Sequence, residues 1–85
     1  MSCFVYILES VKRERFYIGS SMDPIRRLYY HNTTEKGFTS RYRPWKIVFT
    51  KEFHTKTEAM STERMIKRWK SRKMVEKLIQ FEINL

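Results

Sequence analysis

Five side chains in this 85-residue sequence have types and spacings that could do chemistry together: Tyr6, Tyr17, Arg27, His31 and Glu63. Glu63 lies four residues after Ala59 and three before Ile66, which on a helix sets its carboxylate beside the apolar stripe and off the solvated back. A charge so placed is costly unless it is used. Arg27 and His31 stand four apart and so project from one side of an earlier helix. Tyr6 and Tyr17 fall in strand-like runs whose period-two alternation lets both phenols look the same way. A carboxylate, a permanent cation, an imidazole and two phenols are the groups of acid–base and charge-stabilising chemistry. Each also has an ordinary structural reading. Glu63 can pair with Lys67 at i,i+4, a contact of about 0.2–0.5 kcal/mol. Arg27 can be a surface arginine, His31 a helix-end imidazole favoured by the dipole, and the tyrosines amphipathic core residues whose hydroxyls reach water.

The rest of the composition narrows the partner. Eighteen Lys and Arg against nine Asp and Glu leave a net charge of +9, which favours polyanionic partners over a basic surface kept merely for solubility. Cys3 is the only cysteine, so neither an internal disulfide nor a cysteine-based zinc site is available, and a reducing, cytoplasmic location is expected. No apolar run approaches the roughly 18–20 residues of a membrane span, and no signal-peptide pattern opens the chain. With glycine only at Gly19 and Gly37, a Gly-rich nucleotide loop is excluded. The length permits one domain.

The elements that must position these groups are legible in outline. Cys3–Leu8 and Phe16–Gly19 read as an antiparallel hairpin around a charged turn, and Lys46–Thr50 as a third strand. Asp23 and Pro24 start a helix over 24–32 that carries Ile25, Leu28 and Tyr29. The polar segment from Asn32 to Pro44, with Lys36, Arg41 and Arg43, reads as an exposed basic loop. Thr55-Lys56-Thr57-Glu58 matches a capping box and opens a second helix with the stripe Ala59, Thr62, Ile66 and Trp69. Ser71 caps a third helix with Met74, Val75, Leu78 and Ile79, and the tail Phe81–Leu85 alternates. The expected architecture is α+β: a small antiparallel three-stranded sheet packed with helices, in the order β-β-α-β-α-α. Trp45 and Trp69 are expected in the core, and Lys67–Lys73 on a solvated basic face.

Phe4-Val5-Tyr6, ten residues, and then Tyr17-Ile18-Gly19 resembles the paired signature of the GIY-YIG endonucleases. Arg27 falls eight residues beyond the glycine, where that family has its arginine, and the likeness continues through His31 and the Ala59-x-x-x-Glu63 segment. It covers nearly the whole chain and is greatest to small single-domain bacterial members. Two departures stand out. Phe4 occupies the place of the motif glycine, and the downstream asparagine has no match, since Asn84 lies far beyond Glu63.

The resemblance implies a metal-dependent endonuclease that hydrolyses phosphodiester bonds in DNA with weak sequence specificity, structure-guided in repair or recombination. Glu63 would hold one Mg²⁺ or Mn²⁺, hard cations suited to a carboxylate and waters. Arg27 would pair with the scissile phosphate. Tyr17 would take a proton from water or position it, with Tyr6 hydrogen-bonding beside it and His31 relaying the proton or orienting the tyrosine. A free phenol has a pKa of about 10, so a basic Tyr17 needs a cation nearby. Lys36, Arg41, Arg43, Lys67 and Lys70 are the candidate nucleic-acid contacts. Branched or nicked DNA is the expected partner, with RNA open and no membrane. The rival reading is a nucleic-acid-binding module of the same fold without hydrolysis.

Overall fold

β1 (Cys3–Ser10) is the centre of the molecule because its side chains are apolar on both faces, and it is flanked by two antiparallel neighbours. The computed structural model describes residues 2–34 and 36–81, so Asn84 and most of the alternating tail lie outside the described residues. β2 (Phe16–Ser21) and β3 (Trp45–Phe53) complete the sheet in the order β2-β1-β3, which makes both of them edge strands. Helices α1 (Pro24–Thr33), α2 (Phe38–Arg41), α3 (Lys56–Trp69) and α4 (Arg72–Ile79) pack on this sheet.

The alternation of β1 divides the core in two. Cys3, Val5 and Ile7 face Ala59 and Ile66 of α3 and Val75 and Leu78 of α4. Tyr6 and Leu8 face the other way, with Trp45, Tyr17 and Leu28 of α1. Against β3 the register shifts between Ile7, which pairs with Phe49, and Leu8, which pairs with Ile47. That extra residue lets Phe49 join the α3 side while Ile47 and Trp45 join the α1 side.

Helix starts follow local chemistry. Asp23 Oδ1 accepts from the Arg26 amide at 3.1 Å, Thr55 Oγ1 from the Glu58 amide at 3.1 Å, and Ser71 Oγ from the Met74 amide at 3.3 Å. The box at Thr55 differs in one detail: its hydroxyl also donates to Glu58 Oε1 at 3.0 Å, so the carboxylate is held by the side chain.

The expected loop 32–44 is not all loop. Gly37 takes φ 87°, a conformation open to glycine, and begins α2. Thr39 is buried, and its carbonyl accepts from Trp45 Nε1 at 2.8 Å. Asn32 clasps the same tryptophan's backbone, donating from Nδ2 to the Trp45 carbonyl at 3.0 Å and accepting from its amide at 2.6 Å. The end of α1 is thereby tied to β3. Arg72 is exposed, as expected of the solvated basic face, and from there bonds Glu76 at 2.9 Å, reaches Glu14 at 3.3 Å and lies over the Phe16 ring. It fastens α4 to the β1–β2 turn. Among the described residues no helix is long and apolar enough to cross a membrane.

Candidate active site

The site begins at a glycine. Tyr6 on β1 pairs with Gly19 on the edge strand β2, and the Tyr6 side chain is 1% exposed. A Cβ on Gly19 would lie 2.6 Å from Tyr6 Oη and 3.2 Å from Tyr17 Cε1. The missing side chain is the space in which the buried phenol lies, and a phenol packed on all sides cannot swing away. Gly19→Ala is therefore expected to cost about 1–3 kcal/mol of stability, read as a lower urea midpoint with an unchanged slope. A parent-like midpoint would show that Tyr6 has room to move.

Above this glycine three rings gather between the sheet and α1. Tyr6 and Tyr17 have centroids 6.4 Å apart, and Tyr17 lies 4.6 Å from the His31 ring. Tyr6 Oη and His31 Nε2 are 3.1 Å apart, and Arg27 also hydrogen-bonds the Tyr6 hydroxyl. Arginine can only donate, so the Tyr6 oxygen accepts from Arg27, and its contact with His31 Nε2 runs in the direction that the imidazole tautomer sets. Burial raises the Tyr6 pKa above its ordinary value, against the opposing hydrogen bond and charge of Arg27, and the charges of Tyr17 and Glu63 push it the same way as burial. Tyr6 is thus a neutral phenol at physiological pH. It keeps its proton and is not a base.

Glu63 approaches from the other layer. α1 and α3 cover opposite faces of the sheet, so the carboxylate is not part of the ring layer. It meets the sheet at the β2 edge, where Oε1 accepts from Ser20 Oγ at 2.7 Å, one residue beyond Gly19. Its Oε2 pairs with Lys67 Nζ at 2.7 Å. Its charge still acts on Tyr6, as does that of Arg27. Adjacent residues of the edge strand thus serve the two layers, Gly19 under Tyr6 and Ser20 on Glu63. Among the described residues no group of three His, Cys, Asp or Glu could cage a metal ion. A single carboxylate, 19% exposed, nonetheless fits a small hard cation that keeps most of its waters and takes further oxygens from a phosphate.

Residues 2–77 match the model of the GIY-YIG catalytic domain. The chain belongs to the GIY-YIG family. A UPF0213 protein of Streptococcus pneumoniae serotype 4 is 38% identical over 68 residues, covering 79% of this chain and 68% of that one. A structure-specific endonuclease subunit, slx1, of Schizosaccharomyces japonicus is 42% identical over 65 residues, 72% of this chain but 24% of that protein. The SLX1 subunit of Meyerozyma guilliermondii is 46% identical over 66 residues, 69% of this chain and 22% of that one. This chain thus spans about a quarter of the length of these fungal relatives. The solution NMR structure of a UPF0213 protein from Bacillus halodurans matches with a TM-score of 0.60 and 31% identity, over 95% of this chain and 85% of that one.

In this GIY-YIG domain the motif's closing glycine is the one that admits Tyr6. Phe4, in the place of the motif's first glycine, is accommodated by packing: it lines an apolar recess with Met22, Ile25 and Ile47. The five side chains singled out by type and spacing are distributed as four on the α1 layer and Glu63 at the edge. The candidate nucleic-acid contacts divide as well. Lys36, Arg41 and Lys70 are exposed, the last at the left-handed C-cap of α3 with φ 46°. Arg43 is half-buried and donates from Nε to the His31 carbonyl at 2.6 Å, bracing the segment before β3 against α1. Lys67 is engaged with Glu63. Ser20 is the site residue that sequence reasoning missed. Alternation from Gly19 turns it to the face that α3 covers, which is the one signal that could have linked it to Glu63.

Proposed function

We propose that this domain is a divalent-metal-dependent endonuclease that hydrolyses phosphodiester bonds in DNA, prefers branched or nicked DNA, and reads sequence weakly, acting in the cytoplasm in repair or recombination. What supports this reading is the cluster of Arg27 with the Tyr6, His31 and Tyr17 rings above Gly19 of β2, and the Glu63 carboxylate bonded to Ser20, the next residue of the same strand. The net charge of +9 supports a polyanionic substrate. The structure-specific endonuclease relatives support recognition by shape.

Each residue has a separate task in the reading. Glu63 would hold one Mg²⁺ or Mn²⁺, which when bound supplies Lewis acidity and a clamp for phosphate charge. Arg27 binds the scissile phosphate through its planar fork, and these bonds strengthen as charge builds on the oxygens. Tyr17, half-buried where Tyr6 is closed off, positions the attacking water or takes its proton. His31, 2% exposed, is too enclosed to meet that water directly and orients the Tyr17 ring. Tyr6 hydrogen-bonds His31 and holds it in place. Of the basic residues read from the sequence, Lys36, Arg41 and Lys70 are exposed and add phosphate contacts, while Arg43 and Lys67 would first have to leave the His31 carbonyl and Glu63; none of the described elements is a base-reading module.

Intact plasmid, nicked duplex and three-way-junction DNA, each incubated with Mg²⁺, Mn²⁺ or EDTA, test the reading. Cleavage of the nicked or branched DNA in either metal, absent in EDTA and spread over many sequences, is the expected result. Binding that weakens steeply with salt, with every substrate left intact in both metals, would replace it with the non-catalytic binding module.

A further inference from the structure

We infer that Lys67 is a displaceable counter-ion of Glu63: its ammonium occupies one carboxylate oxygen until a divalent cation takes that place, while Ser20 retains the other. The inference rests on Glu63 being the cation ligand. Both carboxylate oxygens are already engaged, Oε1 by the Ser20 hydroxyl and Oε2 by Lys67 Nζ, each at 2.7 Å. The two partners differ in how firmly they are fixed. Ser20 is on a strand, paired with Val5 beside the glycine that receives Tyr6. Lys67 hangs from α3 one turn beyond Glu63 on a flexible stem, and its side chain is 50% exposed.

A pair of that kind is weak, because the ammonium regains its water when it leaves. A dication brings twice the charge to the same oxygen and cannot share it with a cation a few ångströms away. Ser20, donating its one proton, is compatible with either occupant and keeps the carboxylate aimed at the β2 edge. Lys67 thus neutralises a carboxylate that is held at the β2 edge and only 19% exposed. On metal loading its ammonium is released within one helical turn of the site, where a DNA phosphate can receive it. Metal binding and substrate capture then favour one another.

Mn²⁺ binding to the full chain without DNA, followed by the loss of the free-ion EPR signal, tests this apart from catalysis. Lys67→Met is expected to bind Mn²⁺ about three- to ten-fold more tightly, since a cation is removed from beside the ion. Lys67→Arg, which keeps the charge, should stay within about two-fold of the parent, and Ser20→Ala should bind about ten-fold more weakly. Parent-like or weaker binding in Lys67→Met, with binding lost in Glu63→Ala, overturns the counter-ion role and leaves the metal site standing. Undiminished binding in Glu63→Ala overturns both.

Discussion

Replacing Glu63 with alanine is expected to lower metal-dependent DNA cleavage about a thousand-fold while DNA retention on a filter stays at or above the parent level. The rate loss corresponds to about 4 kcal/mol of transition-state stabilisation, in the range of a Lewis-acidic cation acting on a phosphate. Binding is spared because the variant removes a negative charge from a surface whose net charge is +9. The fold is spared because the two groups left behind, Ser20 on an edge strand and the half-exposed Lys67, can both turn to water. Glu63→Gln separates charge from shape. It can still accept from Ser20 but offers a cation no formal charge, so it should be as inactive as the alanine variant. Cleavage within ten-fold of the parent in either protein removes the carboxylate from the mechanism.

Sequence and structure agree where the determining forces are local. The caps Asp23, Thr55 and Ser71 act on amides three residues away, so their sequence neighbourhoods suffice to place α1, α3 and α4. β1 announces itself because every residue from Val5 to Leu8 is apolar and buried, as befits a central strand. The anomaly of Glu63 was legible for the same reason: a carboxylate at a half-apolar helical position breaks a pattern. The remaining features depend on partners far along the chain. α2 exists because Thr39 packs under Trp45, and nothing in the polar run around it marks that contact. The register shift opposite Ile7 and Leu8 is a property of two strands together. An apolar stripe says that a helix is covered and not which face of the sheet it covers. The chain therefore offers no sign that α1 and α3 lie on opposite sides of the sheet, Arg27 bonding Tyr6 on one and Glu63 bonding Ser20 from the other. Basic residues are unevenly legible: the i,i+4 spacing alone offers Lys67 to Glu63, whereas Arg43 and Arg72 look alike in a charge count. The structure assigns the three to a carboxylate, a carbonyl and an ion-pair cluster.

Arg27 supplies the second large effect, and its comparison with a peripheral cation distinguishes catalysis from attraction. Arg27→Ala is expected to reduce the single-turnover cleavage rate at saturating enzyme about 10²–10³-fold, the range seen when one preorganised donor to a developing charge is removed. The same substitution takes away the donor that opposes the burial-raised pKa of the Tyr6 hydroxyl. The phenol then remains protonated and still bonded to His31, so the ring layer should persist and stability should change little. Arg27→Lys restores the charge but not the fork, and should recover only a small part of the rate. Arg41→Ala is the control, because its side chain is exposed at the end of α2. It should weaken DNA binding and reduce the salt dependence by about one released counter-ion, while the saturated rate stays at the parent value. If Arg27→Ala behaved like Arg41→Ala, with full cleavage once enough protein was added, the arginine would be one more anchor for the backbone. The phosphate-stabilising role would then have to lie elsewhere among the cations of the domain.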